Sequence, residues 1–378
     1  MCYAIKTNKH MDKARIVIAS VLKPLDDTRM LEKMAASLTG NGTADIYIIG
    51  LAVKGITAHP GINFIGLQPV ERLGLGRLLL PLKILIKTLK VKPSLLIVNT
   101  HELLIVSIVN RILFGCKIAY DIRENYYRNI LYSEVFRGPI KWPVALWVRL
   151  KEKVASPLFH HFILAEKAYE NELAFIGERY TILENKALPQ HCFARAPTDA
   201  PTNLLFSGTI ASSTGIFQAI ELAEQLHQAN ARVRLSIVGY CALPHVREKV
   251  AEVVAGRPWI SLKGFNRLVP HGEIMEEIRH ADFGIVYYPP SPHTSGAVPT
   301  KLYEYMACQL PVLTWKNQSF AHWVAQNQAG LIVEGPGGAV WVEMMHKKFY
   351  PHPIDGLVWE GEKFRKLAAR LLGLPPVG

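Results

Sequence analysis

The sequence has 378 residues, with 43 lysine and arginine residues against 31 acidic ones and a formal net charge of +12. This length exceeds that of one ordinary hydrophobic core, so two domains are expected. The basic excess is compatible with nucleic acid, an anionic membrane or phosphorylated substrates, and charge alone does not choose among them. The five cysteines show no CxxC spacing, which argues against a disulfide framework or a zinc site and favours a reducing cytosol.

The amino-terminal segment MCYAIKTNKHMDKAR is polar and charged, and no run of the sequence reaches 18 consecutive apolar residues. Neither a signal peptide nor a membrane-spanning helix is therefore expected. We expect a cytoplasmic chain, for which any contact with a membrane is peripheral.

The first half alternates strand and helix patterns. A strand is predicted over Arg15–Val21 and a helix from about Thr28, and the segments ADIYIIGLA and INFIGLQ predict two more strands. Asp26 and Asp27 lie in the loop after the first strand, at the edge where open α/β sheets bind ligands. Helix capping by one of these carboxylates is the structural alternative.

The segment Arg72–Lys92 predicts a helix that Pro81 interrupts. Its lysines form a narrow stripe: Lys83, Lys87 and Lys90. Such a helix lies on an anionic bilayer, where each lysine contributes about 1 kcal/mol, or packs on a core with a solvated rim. Trp142 and Trp147 of a later predicted helix add to the membrane hypothesis, and both alternatives stay open.

Titratable residues follow two buried strands of the first half. His101 comes after the strand Leu95–Val98, and Asp121 and Glu124 come after the strand Lys117–Tyr120. Parallel strands end at the same edge of a sheet, so these three side chains are candidate catalytic residues in one crevice. The structural alternative is that each is a polar residue satisfied within the core.

The polar stretch ARAPTDAPT, Ala194–Thr202, predicts a linker, after which strand and helix patterns resume. Strands are predicted over Leu204–Ser207 and within VRLSIVGY, WISLKGF and ADFGIVYY. The alternation with short connections indicates a parallel, doubly wound α/β domain in each half. Gly208, Thr209 and Thr214 follow the strand Leu204–Ser207, and small or hydroxyl-bearing residues there suit the approach of a phosphate.

The segment His293–Trp315 predicts a loop, a short helix and a strand. Pro299 suits the first helical position, and Pro311 ends the helix. Free amides at the helix start, with the charge of Lys301, predict an anion site, and Glu304 can accept hydrogen bonds from a sugar hydroxyl. The alternative is a surface ion pair between Lys301 and Glu304, worth about 0.2–0.5 kcal/mol.

These segments resemble a known family. FSGTIASSTGIFQAI, IVGY, LKGF and PTKLYEYMACQLPVL are similar to the donor half of retaining nucleotide-sugar glycosyltransferases of family 4, and NTHELL and YDIRENYY are similar to motifs of its other half. The resemblance implies the GT-B fold, an α/β fold with two doubly wound, Rossmann-like parallel-sheet domains facing across a cleft. It implies an acceptor-side domain over residues 1–193, a donor domain over 203–355 and a terminal helix over 356–378 that crosses back to the first domain.

The resemblance also implies roles for single residues. Glu304 would bind the nucleotide ribose, Phe265 would lie by the base, and His101 would lie near the transferred sugar. The implied donor-binding set is Gly208, Thr209, Thr214, Gly239, Gly264, Phe265, Ser295, Gly296, Thr300, Lys301 and Glu304. The catalytic set is His101, Lys301, Asp121 and Glu124.

Three positions depart from the family pattern. Gly296 stands where the family has its first donor-motif glutamate, so recognition of the sugar by that side chain is absent. No lysine follows the SGT loop, which leaves the diphosphate charge to Lys301. Gln309 replaces the glycine before Pro311, where a left-handed helix cap favours glycine.

The predicted activity is transfer of a sugar from a nucleoside-diphosphate sugar to a glycan or lipid-linked acceptor in cell-surface polysaccharide biosynthesis, with retention. The sequence has no HExxH or DxD motif, so we expect no metal and no cofactor beyond the donor. Peripheral contact with an anionic membrane is expected, and binding of nucleic acid is not. Two alternatives remain, a GT-B nucleotide-sugar epimerase and an inactive glycosyltransferase-like binding protein.

Overall fold

Two parallel sheets with helices on both faces form the structure. The computed structural model describes residues 13–39, 44–70, 74, 76–132, 138–193, 202–294, 296–334 and 337–375. The strands are β1 Ala14–Pro24, β2 Ala44–Leu51, β3 Ile62–Leu67, β4 Leu95–Val98, β5 Lys117–Ile122, β6 His161–Leu164, β7 Tyr180–Ile182, β8 Asn203–Ser207, β9 Arg234–Tyr240, β10 Ile260–Phe265, β11 Phe283–Ile285, β12 Val312–Thr314 and β13 Gly330–Ile332.

Helices connect these strands. They are α1 Ala36–Leu38, α2 Gly76–Val91, α3 Leu104–Phe114, α4 Tyr126–Tyr132, α5 Lys141–Ala155, α6 Tyr169–Glu172, α7 Ile216–Ala229, α8 Pro244–Val254, α9 His271–His280, α10 Thr300–Ala307, α11 Ala321–Gln326, α12 Gly337–His346 and α13 Gly361–Leu372. A π-helix, Arg29–Ala35, leads into α1, and a 3-10 turn, Pro189–His191, lies between the two sheets in the sequence. Among the described residues, no helix combines the length and the apolar character needed to cross a bilayer.

The first sheet has the strand order β3-β2-β1-β4-β5-β6-β7 and the second has the order β10-β9-β8-β11-β12-β13. Neighbouring strands pair in parallel in both sheets. In each sheet the chain starts in the interior, winds outward to one edge and then returns to build the other side, which is the doubly wound arrangement. The predicted fold class is confirmed.

Continuous apolar runs explain why these strands lie in the interior. All four residues of β4 and all four of β6 are buried, because helices cover both faces of a parallel sheet. The carboxyl ends of the strands in each sheet lie at one edge, and the loops that follow them carry the candidate functional residues. The proposed linker residues 194–201 lie outside the described part of the chain.

Three local predictions are corrected. Helix α2 continues through Pro81, because the adjacent Leu80 and the nearby Ile84 are fully buried in the core and hold the helix in place; Arg72 lies outside the described residues. Asp121 is not in a loop, since β5 extends to Ile122. Pro299 caps α10 rather than occupying its first position.

The last helix completes the core of the first domain. Trp359, Phe364 and Leu367 pack in one cluster with Met30 and Met34 of the π-helix. The indole Nε1 of Trp359 donates a hydrogen bond of 2.9 Å to Ser37 Oγ. The chain therefore returns to the first domain after building the second.

Candidate active site

Lys301 and Glu304 lie in the first turns of α10, and both are 6% exposed. The Lys301 ammonium nitrogen Nζ lies 3.8 Å from the ring centroid of Phe206 and 5.6 Å from that of Tyr288. It has no hydrogen-bond partner among the described residues. Because both side chains are buried and the carboxylate bonds elsewhere, the surface ion pair between Lys301 and Glu304 is excluded.

The environment of Lys301 disfavours its charge. Burial lowers the pKa of its amine to about 7, although the nearby Glu304 carboxylate partly opposes this effect. Aromatic faces offer an ammonium group some stabilisation, but they do not replace the hydrogen bonds lost on leaving water. The buried ammonium of Lys301 therefore forms a site at which a bound anion would supply the missing partner.

Glu304 is held by a histidine. His271 Nε2, at the start of α9, lies 2.9 Å from Glu304 Oε1, and its other ring nitrogen, Nδ1, lies 3.3 Å from Glu32 Oε2 in the first domain. Although burial disfavours the charged imidazole, hydrogen bonds to Glu304 and Glu32 raise the pKa of His271 to about 9. An imidazolium thus bridges carboxylates of the two domains.

A second chain of contacts joins the domains at Thr300. Asn185 Nδ2 donates to Thr300 Oγ1 at 2.7 Å, and Lys33 Nζ donates to Asn185 Oδ1 at 2.7 Å. Lys33 is 1% exposed, and burial lowers its pKa to about 7. A second buried amine therefore lies near the start of α10, contributed by the first domain.

Glu166 makes a third contact between the domains. Its Oε2 accepts a hydrogen bond of 3.1 Å from the backbone N–H of Val298, and burial raises its pKa to about 8. Two residues before Val298, Gly296 has φ +83°, and a Cβ built there would lie 3.2 Å from the Cβ of Ala168. The position that lacks the family's glutamate is thus packed against the first domain.

Close packing requires glycine at two of the predicted donor positions, Gly239 and Gly264. A Cβ on Gly239 would lie 1.7 Å from the Gly208 carbonyl oxygen, and one on Gly264 would lie 2.0 Å from Val269 Cγ2. These two glycines permit approaches that a side chain would block, whereas a Cβ on Gly208 would meet nothing within 4 Å, and the requirement there is the φ of +98°. Phe265 packs partly buried on the core of the second domain.

In the loop after β8, the hydroxyl of Thr214 forms hydrogen bonds within the loop. Thr214 Oγ1 donates to the Thr209 carbonyl oxygen at 2.7 Å and accepts from Ala211 N–H at 3.1 Å. A phosphate would have to compete with these bonds, whereas the side chain of Thr209 is exposed. Ser295 lies outside the described residues.

His101 and Glu124, the predicted residues of the first domain, form their contacts within that domain rather than with α10. His101 Nδ1 lies 3.2 Å from Lys151 Nζ, and burial lowers the pKa of this histidine to about 4, so its ring is neutral. Glu124 accepts a hydrogen bond of 2.7 Å from Asn129 Nδ2.

Asp121 is paired within the core. It is fully buried and forms an ion pair of 2.7 Å with Arg29, which is also buried. A role in catalysis would require this pair to break, which is costly for two desolvated charges. Asp121 therefore pairs with the π-helix inside the first domain, whereas the sequence predicted that its side chain lies in a crevice with His101 and Glu124.

A cavity of about 600 Å³ lies beside the loop that leads to α10. Its lining comes from the loops after β11 and β12: Tyr288, Pro290, Ser291, Pro292, Thr294, Gly296, Lys316, Asn317, Gln318, Ser319 and Phe320. The buried Gln318 fixes the first loop through bonds of 2.9 and 3.0 Å to the backbone of Tyr288. Because Tyr288 also faces Lys301, the cavity and the buried ammonium are neighbours, and the volume suits a small ligand.

Five residues of this site escaped the sequence analysis: Glu32, Lys33, Glu166, Asn185 and His271. Glu166 lies two residues after the end of β6, so the strand-end rule that selected His101 could have found it. Asn185 contacts α10 across the domain boundary, with Lys33 behind it, and Glu32 contacts His271 across the same boundary. No local sequence pattern predicts such contacts.

Comparisons with known proteins concern the family of the second domain and the fold of the chain. Residues 193–343 match the family model of glycosyl transferases group 1. No curated protein has a detectable sequence match. Similar solved structures include HepE of Anabaena with UDP and glucose, at 14% identity and a TM-score of 0.61 over 95% of this chain and 99% of that one.

Two further structures are comparable. Sucrose-phosphate synthase of Thermosynechococcus elongatus has 14% identity and a TM-score of 0.60 over 85% of this chain and 86% of its own. WaaG, a glycosyltransferase involved in lipopolysaccharide biosynthesis, has 14% identity and a TM-score of 0.61 over 95% and 90%. At these identities the likeness concerns the fold. The family match covers residues 193–343 of the chain, and the likeness to the solved structures shows that the chain as a whole has the GT-B fold.

Proposed function

We propose that this protein is a glycosyltransferase that moves a sugar from a nucleoside-diphosphate sugar to a glycan or lipid-linked acceptor in cell-surface polysaccharide biosynthesis, with retention. The observation that carries the donor assignment is the buried Lys301 ammonium, which has no hydrogen-bond partner among the described residues and lies at a helix start. A diphosphate there would supply the missing counter-charge and accept from free helix amides. The retaining outcome is supported by the resemblance to family 4.

The relatives support a uridine nucleotide as the first donor to test. Structures of Anabaena HepE contain UDP, UDP-glucose, or UDP and glucose. WaaG acts in lipopolysaccharide biosynthesis, which supports an acceptor of the cell surface.

In the proposed reaction, charge grows on the diphosphate as the bond to the sugar breaks. Lys301 and the start of α10 stabilise that charge, so no metal is needed for it. The second oxygen of Glu304 remains for a ribose hydroxyl while His271 holds the first. His101 and Glu124, at strand ends of the first domain, remain the candidates for contact with the transferred sugar and the acceptor.

Thermal denaturation with nucleoside diphosphates tests the donor assignment. UDP at 100 times its Kd should add about 2.7 kcal/mol to the stability and raise Tm, and GDP, ADP and CDP provide the comparison. Lys301→Met, which keeps an apolar stem against Phe206, should lose most of this shift. If no nucleoside diphosphate changes Tm of the wild type, the proposed donor site is wrong.

The alternatives predict different products. An epimerase converts the nucleotide sugar without an acceptor, and an inactive binding protein shows the thermal shift without releasing nucleoside diphosphate. A transferase releases nucleoside diphosphate faster when the acceptor is added.

We also propose that one face of the first domain contacts an anionic membrane. Helices α2, α3 and α5 cover the same face of the first sheet, since Leu80, Ile84, Leu104, Val106 and Ala155 share one core cluster. Their outer sides carry thirteen exposed large hydrophobic residues: Leu78, Leu79, Leu82, Ile86, Ile105, Ile112, Leu113, Phe114, Trp142, Leu146, Trp147, Leu150 and Val154. An apolar surface of this extent is unusual for a face that meets only water.

The charge on these helices favours an anionic partner. The three helices contain nine lysine or arginine residues and one carboxylate, Glu152, which is 3% exposed. Tryptophan rings and lysines around an apolar face suit the boundary between lipid tails and head groups. A face of this kind would bring the enzyme to a lipid-linked acceptor.

A further inference from the structure

Three potential metal ligands converge at the boundary between the two domains. Glu32 belongs to the π-helix of the first domain, His191 to the 3-10 turn Pro189–His191, and His271 to the start of α9. One ligand atom of each lies within 4.8 Å of the others, and all three side chains are partly buried. In the described part of the chain this is the one such cluster of three.

The pair Glu32 and His271 has the spacing of a tetrahedral site. Glu32 Oε2 and His271 Nδ1 are 3.3 Å apart. Two ligands at about 2.0–2.1 Å from a tetrahedral ion are about 3.3–3.4 Å from each other. The ring of His191 meets that of His271 edge to face, with centroids 5.2 Å apart, so His191 needs only a side-chain adjustment to complete the set.

The second ring nitrogen of His271, Nε2, gives independent support for a metal site. This nitrogen lies 2.9 Å from Glu304 Oε1. A histidine that binds a metal through one ring nitrogen typically donates the other N–H to a carboxylate, which fixes the tautomer and the ring orientation. Glu304 provides this support, so Nδ1 of His271 is the nitrogen directed at Glu32 and at the ion.

We propose that Glu32, His191 and His271 bind one Zn²⁺ ion, with a water as the fourth ligand. Imidazole nitrogens with a carboxylate oxygen are a ligand set that Zn²⁺ favours. The ion takes the place of the proton that Nδ1 shares with Glu32. Because its ligands come from both domains, the bound ion fastens the domain boundary next to Glu304. The site contains neither Lys301 nor the cavity, and it shares with the proposed donor site only Glu304, which supports His271 through Nε2.

Titration with Co²⁺, followed by visible absorption, tests the site directly on the full-length chain. One equivalent should give the intense d–d bands of a four-coordinate ion, and one equivalent of Zn²⁺ should remove them. Glu32→Gln and His191→Gln, which change ligands on different elements, should each weaken binding at least 10-fold. Glu304→Gln should weaken it about 10- to 100-fold, as expected for loss of a supporting carboxylate.

His280→Gln is the matched control, because His280 ends the same helix α9 and is 77% exposed. It should leave the Co²⁺ spectrum and affinity unchanged. Weak six-coordinate bands in the wild type, or equal binding by the wild type, Glu32→Gln and His191→Gln, would refute the site. The readout is metal binding, so the result does not depend on whether UDP binds or sugar is transferred.

Discussion

At the scale of single residues, Lys301 and Glu304 lie three positions apart on one helix but have different partners. The carboxylate bonds to His271, whereas the ammonium lies over Phe206 without a hydrogen-bond acceptor among the described residues. Their proposed tasks differ accordingly, one binding the ribose and the other stabilising the leaving diphosphate.

Substitutions should separate these tasks. Glu304→Gln removes charge-assisted hydrogen bonds worth about 1.5–3 kcal/mol, so the donor KM should rise roughly 10- to 150-fold. Lys301→Met should mainly lower kcat, by about 10²- to 10³-fold, because the diphosphate charge grows in the transition state. Steady-state kinetics with varied donor would measure both effects.

Lys249→Met is the control for loss of a lysine over an aromatic ring, since Lys249 of α8 lies 4.9 Å from the ring centroid of Phe217 of α7. Its kcat and KM should match those of the wild type. Wild-type kinetics in both Lys301→Met and Glu304→Gln would remove α10 from the active site.

Lys301 should promote transfer but lower the stability of the folded protein. Its pKa is about 7 in the folded chain and 10.5 when exposed, so between these values the unfolded chain binds a proton that the folded chain lacks. The wild type therefore gains stability as pH rises from about 7 to about 10.5. Lys301→Met lacks this penalty and should be more stable at pH 7, by on the order of a few kcal/mol.

Thermal denaturation from pH 7 to pH 10 would reveal this difference. The advantage of Lys301→Met should shrink steadily as pH rises, and Lys33, which shares the direction of the pKa shift, is present in both proteins and cancels. A Met variant that is less stable at pH 7, or a constant difference across this range, would contradict the buried, unpaired amine.

The sequence could predict Lys301 and Glu304 because helix spacing and the family resemblance are local properties. It could not predict that both are buried, since Lys301 lies against Phe206 and Tyr288 and Glu304 against His271, which are distant in the sequence. His271 illustrates the limit, because its partners Glu32 and Glu304 are 239 and 33 positions away in the sequence. Gln309 was predictable as a strained cap, and its φ of +51° is indeed left-handed.

At the scale of helices, the apolar surface of α2, α3 and α5 is the least conventional feature of the first domain. Periodicity revealed the lysine stripe on α2, but not which apolar residues pack inside. The structure buries Leu80, Ile84 and Thr88 and leaves Leu78 at 74% exposure. Exposure depends on where neighbouring helices lie, which a single segment does not encode.

Flotation with anionic vesicles tests this surface. The wild type should float with phosphatidylglycerol vesicles at low salt. The double variant Leu146→Glu/Leu150→Glu should not float, because membrane binding would bury its two added carboxylates among the lipids. Neutralising Lys83, Lys87 and Lys90 should cost about 3 kcal/mol, or roughly 100-fold in affinity, and raised salt should weaken binding.

Val342→Glu provides the matched control, since Val342 is 56% exposed on the second domain and Leu146 is 58% exposed. It should float like the wild type. The membrane proposal fails if the wild type stays with the soluble fraction, or if the Leu146 and Leu150 variant floats equally well.

At the scale of the whole molecule, the alternation of strands and helices predicted two doubly wound sheets. Strand order and domain closure depend on distant pairings, and the contacts of Glu32, Lys33 and Glu166 with the second domain had no sequence counterpart. The donor half was also better defined by its motifs than the acceptor half, where Asp121 proved to be an internal ion-pair partner of Arg29.

Transfer should continue after metal is removed, because Lys301 and the helix start supply the positive charge opposite the diphosphate. Activity measured after dialysis against EDTA should equal that of the untreated enzyme. Loss of activity with EDTA, followed by recovery with Mg²⁺ or Mn²⁺, would overturn metal-independent transfer. Recovery with Zn²⁺ alone would point instead to the boundary cluster of Glu32, His191 and His271.

The bond between Trp359 and Ser37 spans 322 positions of the sequence, and this has a consequence for synthesis on the ribosome. The first domain emerges early, but Trp359, Phe364 and Leu367, which cover Met30 and Met34, are made only after the second domain. At about 5–20 residues per second, translation of the second domain separates these events by roughly 8–30 s. During that interval the nascent first domain has an uncovered apolar face, so its protection from aggregation depends on chaperones or on rapid completion of the chain.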